Sequence, residues 1–503
     1  VTPVQEKMPL YWKFYHHYTQ AAFALHGGAW RMSEAPCVSR PGRKRVVVDE
    51  KTGQFRDDAL CGRAQRRWKG SRPLSLAPGA ETEFVVRASF AWTGRKPLSA
   101  AAGRKLYARA AAPFEAWDKA LARQRRFWID QLKRVPRPSP ALPPRFARLY
   151  YKAWVATFQN LMPPFYGGIR DYRQPVFSTN KVAPGFQAPC MWESVIGSFL
   201  MGYVSPALAA RTLDAIVSCI EEDGVLLEDC GYSRATTLPS ILGVVALNLS
   251  RQGMDPKWLR KWRKPLMLNW RQQYRYPTWK RFGQPLCRNY FYAYHNGQAL
   301  LEISRILRRP AKEIQAIADR LRDIRTMVQA YWNEDKGWFR AQINTQVGNC
   351  GHFEPVEGTN GELMVGMRGD VLPEKQRRAM ARMIRQQMLY GRYMVANVPS
   401  KAPGLDTGTP GKNAQPTFAI KPANYLYLWP GLRDTDPKLF AKAVDRTLAG
   451  VANANEFSEN YNLDGQCRHN QPMSFFGMFA VIWSVLLDKR YAPKGLRGVE
   501  HGR

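Results

Sequence analysis

Phe457-Ser458-Glu459-Asn460-Tyr461-Asn462-Leu463-Asp464-Gly465 lies a few residues ahead of an apolar segment, 474–487, whose middle reads Phe475-Phe476-Gly477-Met478-Phe479-Ala480-Val481-Ile482-Trp483. A polar, aromatic stretch that ends in glycine and hands the chain to an apolar run is a loop entering a helix. The same unit recurs through the second part of the chain, and that recurrence decides the fold. From Arg145 onward helical patterns follow one another near 145–160, 191–204, 205–223, 237–253, 255–274, 291–307, 311–332, 359–368, 373–388, 422–432, 436–454 and 474–487. Long Gly/Pro-rich segments at 161–190, 276–290, 333–357, 389–421 and 455–473 recur at roughly every second helix, whereas other connections are as short as Ser205-Pro206. Alternating short and long connections predict a double ring of six helical hairpins with the long loops at one mouth. A solenoid would show a constant repeat length, and none is present.

Residues 1–115 have a different grain. Short apolar runs such as Val46-Val47-Val48 and Glu83 to Trp92 alternate with Gly, Pro and charge, which predicts an antiparallel β-sandwich. Its first strand pattern starts almost at Val1, so part of it is expected upstream. Residues 116–144 carry Trp117, Leu121, Trp128 and Leu132 at helical spacing and then the Pro-rich run Pro136 to Pro144, a linker helix and hinge. The expected organisation is multi-domain: an antiparallel β-sandwich (1–115), the linker (116–144), an all-α (α/α)6 toroid (145–490) and a tail (491–503).

The composition sets bounds on function. With 503 residues, 45% of them hydrophobic and 16 Trp, the chain can bury a large core. No run of 18 or more apolar residues is present, so no membrane span is expected. Lys and Arg number 75 against 40 Asp and Glu, a net charge of +35. That excess attracts polyanions without choosing among nucleic acid, an anionic membrane surface and an acidic polysaccharide. The basic runs (Arg40 to Arg45, Arg63 to Lys69, Arg123 to Arg126, Lys257 to Lys264, Arg377 to Arg385) are spread along the chain, and no zinc-finger, RNP or basic-zipper pattern occurs; no specific nucleic-acid partner is expected. The eight Cys include no CxxC pair, so no metal site is expected. Cys37 and Cys61 flank a hairpin pattern and suit either a disulfide or two buried thiols.

The long loops concentrate groups that bind polyols. Residues 161–190 hold Tyr166, Arg170, Asp171, Tyr172 and Arg173, and lead into Pro189-Cys190-Met191-Trp192-Glu193-Ser194; residues 276–290 hold Trp279, Arg281, Arg288, Asn289 and Tyr290, followed by Tyr292, Tyr294 and His295. Planar rings stack on sugar faces, and Arg and carboxylate groups bind vicinal hydroxyls in pairs. A carboxylate in the loop ahead of the last helix, Glu459, has the chemistry of a base that deprotonates water beside an acetal.

These features together resemble the toroid glycosidases that include trehalase, processing α-glucosidase and their bacterial relatives in glycoside hydrolase family 63. The resemblance covers about residues 80–487. It rests on the order of Leu76 to Phe84 with Trp128, Pro189 to Ser194, Asn296-Gly297-Gln298-Ala299-Leu300, Tyr331 to Phe339, Asn424-Tyr425-Leu426 with Gly431-Leu432, and Glu459-Asn460-Tyr461-Asn462 with Gly465.

The resemblance implies an inverting glycoside hydrolase in which Glu459 is the general base. It places Trp192 and Glu193 in the sugar pocket, Glu193 standing where the family has Asp. Relatives carry their general acid in the long loop before the sixth helix, yet Tyr276 to Tyr290 contains neither Asp nor Glu. Asp229, in Leu226-Leu227-Glu228-Asp229-Cys230, or Glu193 is the replacement proton donor. Arg170, Asp171, Tyr172, Trp279, Arg288, Tyr294, His295, Trp429 and Tyr461 are the expected substrate contacts. No cofactor is implied. The expected partner is a carbohydrate, an α-linked oligo- or polysaccharide with acidic or sulfated glycans among the candidates, and the expected location is periplasmic or extracellular. Two alternatives stay open here: a polysaccharide lyase on a uronate using a Tyr or His from Arg288-Asn289-Tyr290 and Tyr294-His295, and a toroid that binds sugar without turnover. The sugar, the linkage, exo or endo action and the oligomeric state stay open as well.

Overall fold

A computed structural model describes the strand backbones of residues 4–9, 16–26, 31–35, 46–49, 54–57, 67–71 and 85–92, four positions between 101 and 108, and then 117–162, 174–177, 191–226, 240–275, 286–335, 337–339, 361–389, 395, 424–454, 456–458, 461 and 475–496. The chain divides into two compact units, Val1–Arg123 with Phe165–Arg173, and Gln124–Pro164 with Gln174–Arg503.

The first unit is antiparallel and nested. β1 (Val4–Pro9), β2 (His16–His26) and β7 (Val85–Trp92) form a sheet in the order β1-β2-β7, with Val4 opposite Ala21 and Phe23 opposite Ala88. Between β2 and β7 the chain pairs β3 (Arg31–Ala35) with β6 (Arg67–Ser71), and within that β4 (Val46–Asp49) with β5 (Gln54–Asp57). The side chains of these strands, and Cys37 and Cys61, lie outside the described residues.

α1 (Trp117–Lys133) carries the chain toward the second unit, which is helical. Six of its segments are α2 (Pro144–Asn160), α4 (Pro206–Val217), α6 (Pro256–Arg275), α8 (Ala311–Gln329), α9 (Glu374–Met383, continued by a π turn Ile384–Met388) and α11 (Pro437–Ala454). Each begins at a proline or directly after one. Proline has no N–H to lose at a helix start and its φ is already helical, so it stops the preceding segment and starts the next within a few residues. The other six are α3 (Met191–Met201), α5 (Leu242–Arg251), α7 (Leu286–Ile306), a 3-10 segment Gly361–Met367, α10 (Tyr425–Thr435) and α12 (Phe475–Leu487). Every residue of α3 and of α12 is buried, whereas α8 and α9 bury single stripes. A helix apolar all round has protein on every side, so this second set is the inner ring.

The inner segments touch in a closed cycle: α3 meets α5, α5 meets α7, α7 meets the 3-10 segment, that segment meets α10, α10 meets α12, and α12 returns to α3. Each also packs on its outer partner, the last pair being α12 with α2. Because every inner segment follows a long connection and precedes a short one, all six run the same way and their N-terminal ends share one mouth. Gly431 shows how tightly the ring closes, since a Cβ there would fall on the backbone of Met367 and Arg368.

Several boundaries differ from the sequence reading, and two of them matter most for the site. α7 starts at Leu286, so Arg288, Asn289 and Tyr290 belong to a helix and not to a loop; no Gly or Pro interrupts Leu286 to Asn296. The segment near 359–368 is 3-10, seven residues containing Gly361 and Gly366. Trp332–Asn333 and Trp338–Phe339 pair as a hairpin, with Gly337 at φ +62 in its turn.

Candidate active site

The described residues on either side of Glu459 are tied together. Tyr461 is fully buried, and its hydroxyl accepts a hydrogen bond from Ser458 N (2.8 Å) while donating to Glu456 O (3.1 Å). One side chain thus ties back the turn from Glu456 to Tyr461, and Glu459 and Asn460 lie in sequence between the tied residues Ser458 and Tyr461. The turn rests on the first helical turn of α12, where Gly477 leaves no side chain: a Cβ there would stand 2.5 Å from Tyr461 Oη, 2.7 Å from Ser458 N and 2.9 Å from Phe457 Cα. The sequence reading makes Tyr461 a sugar contact. In the structure its hydroxyl is engaged within the turn and its ring is buried.

Three alternate members of the inner ring send rings to a common centre. Trp192, on the first turn of α3, lies edge to face with Tyr292 of α7 at 5.4 Å, and Tyr292 meets Tyr427 of α10 at 5.3 Å. Alternate segments do not adjoin in the cycle, so their side chains can meet only by reaching toward the toroid axis. Tyr292 also donates from its hydroxyl to Asn424 Oδ1 (3.4 Å). Beneath, Phe199, Asn248, Arg368, Leu426, Pro430, Trp483 and Leu487, from four inner helices and the end of the 3-10 segment, leave a cavity of only about 10 Å³. The mouth therefore has a packed aromatic floor. Glu193 follows Trp192 on α3 and is 4% exposed, a carboxyl group withdrawn from water near the mouth end of the inner ring.

Trp429 and Tyr294 are placed elsewhere, and His295 backs the floor from behind Tyr427. Trp429 stacks on Tyr425 (3.9 Å), meets Phe440 of the outer helix α11 and donates its indole N–H to Ser484 (2.8 Å), so it serves the core. Tyr294 donates to Asp370 Oδ1 (2.9 Å) and accepts from Gln298 (2.9 Å) and Arg325 (2.6 Å). Burial first, then the Asp370 carboxylate, raises its pKa. Together with Arg251, Glu302 and Arg368 it lines a cavity of about 150 Å³ beside the C-terminal ends of α5 and α7, away from the mouth. His295 stacks on Tyr427 (4.8 Å) and donates from Nε2 to the carbonyl of Val365 (2.9 Å). Tyr294 thus spends its hydroxyl on Asp370, and His295 spends its Nε2 on the Val365 carbonyl.

His295 has a consequence for stability. Burial, helped by the Arg368 cation, pushes its pKa down from 6.5 to about 3. Below about pH 6.5 the unfolded chain takes up a proton that the folded chain refuses, until the folded imidazole itself titrates near pH 3. The folded state is therefore expected to lose about 1.4 kcal/mol for each pH unit in that window from this group alone. Urea unfolding as a function of pH checks it. His295→Gln, whose amide can still donate to Val365 but cannot titrate, is expected to show a shallower acid slope than the parent.

Of the other expected site residues, Glu459, Asp229, Arg170, Asp171, Tyr172, Trp279 and the side chain of Arg288 lie outside the described residues. Among the described residues, no cluster of three or more His, Cys, Asp or Glu could hold a metal ion, and no helix is long and apolar enough to cross a membrane. The sequence reading named Tyr292 among the polyol-binding groups but missed Asn424 and Tyr427 as floor residues. The available signal was the i, i+3 spacing of Asn424 and Tyr427, two polar-tipped side chains at the start of an otherwise apolar helix.

A closed ring of six inner segments with parallel mouth ends, backed by an outer ring of six, defines an (α/α)6 toroid protein. Solved structures similar to it include glycosidases. The GH63 mannosylglycerate hydrolase from Thermus thermophilus in complex with glucose matches at a TM-score of 0.52 and 15% identity over 67% of this chain and 100% of that one. The same Thermus thermophilus hydrolase in complex with Tris and D-glycerate gives 0.53 at 13% identity, over 67% and 100%, and a sialidase gives 0.51 at 12% over 68% of this chain and 33% of that chain. At these identities the likeness is one of fold. No protein-family model matches the chain, and no curated protein matches its sequence.

Proposed function

We propose that this chain is an inverting glycoside hydrolase acting on an α-linked glycan. The observation that supports it best is the tied turn from Glu456 to Tyr461 at the mouth end of α12, beside α3 with Trp192 and Glu193. Inversion needs two carboxyl groups about 6.5–9.5 Å apart, one on each face of the sugar. In this reading Glu459 takes a proton from water as the water oxygen bonds to the anomeric carbon. The bond from that carbon to the leaving oxygen breaks on the opposite face, and Glu193 or Asp229 gives that oxygen its proton. A general acid must start protonated. The aromatic floor receives the apolar face of the ring.

Proton NMR of the first-formed product tests the reading: the anomer opposite to the substrate is expected, and a retained anomer refutes inversion. The acid is assigned by its leaving-group dependence. On an unactivated glycoside the variant lacking the acid is expected to lose about 10²–10⁴-fold, and most of that loss disappears on an aryl glycoside whose phenolate leaves without a proton. Glu193→Gln and Asp229→Asn should divide cleanly, one showing this pattern and the other not.

A further inference from the structure

Two polar groups at the base of the mouth lack partners. Asn424 is 3% exposed and Tyr427 is 1% exposed, yet Asn424 Nδ2 and Tyr427 Oη have no hydrogen-bond partner among the described residues. Leaving such a group unsatisfied in the interior costs about 1–3 kcal/mol; a third on the same turn, Tyr425 Oη, belongs to a ring stacked on Trp429 in the core, whereas Asn424 and Tyr427 call for an explanation at the floor. They stand three residues apart at the start of α10 and hence on one face, with about 5–6 Å between their Cβ atoms. Both border Tyr292, Asn424 through its Oδ1 and Tyr427 through its ring.

The surroundings of Tyr427 limit what it can do. Its ring carries His295 stacked upon it, the Arg368 guanidinium over it at 5.5 Å and the Tyr292 ring at 5.3 Å. The ring is thus wedged, and only its hydroxyl remains to meet a ligand. Burial holds that phenol protonated, so it can donate, as Asn424 Nδ2 must. Two buried donors on one face beside the rings of Trp192 and Tyr292 suit two neighbouring hydroxyl oxygens on a ring whose apolar side lies against the aromatics.

We propose that Asn424 and Tyr427 form a hydroxyl-recognition subsite at the base of the toroid, each donating to one of two adjacent hydroxyls of a bound pyranose. This rests on the glycosidase reading and adds to it two specificity-determining residues. Without a ligand role, substitutions at these two positions would leave sugar affinity unchanged, and that response decides the test.

The experiment measures melting temperature with and without glucose, mannose or galactose at high concentration, followed by calorimetric titration of whichever sugar responds. Tyr427→Phe removes one oxygen atom. If the hydroxyl awaits a ligand, the sugar-free variant melts at or above the parent temperature, because an orphaned buried group is gone, while sugar affinity falls about three- to ten-fold. Asn424→Asp keeps the acceptor for Tyr292 and removes the donor, and is expected to weaken the same sugar. A Tyr427→Phe protein that melts lower and binds sugar as the parent does overturns the subsite. A parent protein stabilised by none of the three sugars overturns the subsite and the glycosidase reading together, whereas a responding parent with an equally responsive Tyr427→Phe overturns the subsite alone.

Discussion

Glu459→Gln is expected to lower the rate of glycoside hydrolysis by about 10²–10⁴-fold with the fold and the melting temperature close to those of the parent. Gln has the shape of Glu but cannot accept the proton of the attacking water, so the water stays a poor nucleophile while sugar binding persists. The loss should therefore fall on kcat and leave KM within a few-fold. The base acts on water and not on the leaving group, so an activated aryl glycoside should not restore the rate, in contrast to the variant lacking the acid. The hydrogen bonds that tie the turn involve the backbone of Glu456 and Ser458 and the side chain of Tyr461; neither uses the carboxyl of residue 459. A Glu459→Gln protein that turns over at the parental rate removes Glu459 from the mechanism.

The architecture was legible because the two rings obey different rules that sequence displays. Inner helices such as Phe475–Leu487 are apolar on every side, and outer helices such as Ala311–Gln329 alternate charge with a single buried stripe. Prolines 144, 206, 256, 310, 373 and 437 mark each outer start. The α7 boundary was less legible, since Leu286 to Tyr290 contains basic and polar residues that look like loop, and only their packing in the ring makes them helix.

Site residues were harder to place, for a geometrical reason. An inner helix presents one face to the axis and the other to the outer layer, and a tryptophan is welcome on both. Trp192 and Trp429 are therefore equivalent in sequence, yet the first meets Tyr292 at the axis while the second meets Phe440 in the core. Tyr461 poses a similar problem: a tyrosine beside a carboxylate suggests a sugar contact, and only the positions of Ser458 N and Glu456 O show that its hydroxyl ties the turn.

Gly477→Ala is expected to lower kcat by about 10²-fold at a far smaller cost to stability. Two opposing terms act on the fold. Within a helix, Gly to Ala stabilises by about 1 kcal/mol, and overpacking costs about 1–3 kcal/mol, so the net change is small. The turn has no such compensation. The new methyl would meet Tyr461 Oη at 2.5 Å, Ser458 N at 2.7 Å and Phe457 Cα at 2.9 Å, and two of those three atoms belong to the backbone that leads into Glu459. A backbone cannot rotate aside as the end of a flexible side chain can, so the turn must lift off α12. Displacing a reacting group by about 1 Å can cost 10²-fold, because water must be activated at one distance and angle from the anomeric carbon. Combining the change with Tyr461→Phe separates this account from general destabilisation. The second substitution removes the shortest clash, and its effect on kcat should be less than multiplicative with the first, whereas independent damage would multiply. Urea unfolding of the same proteins supplies the comparison. A Gly477→Ala protein that loses stability and activity in step would show that α12, and not the position of Glu459, is what the glycine protects.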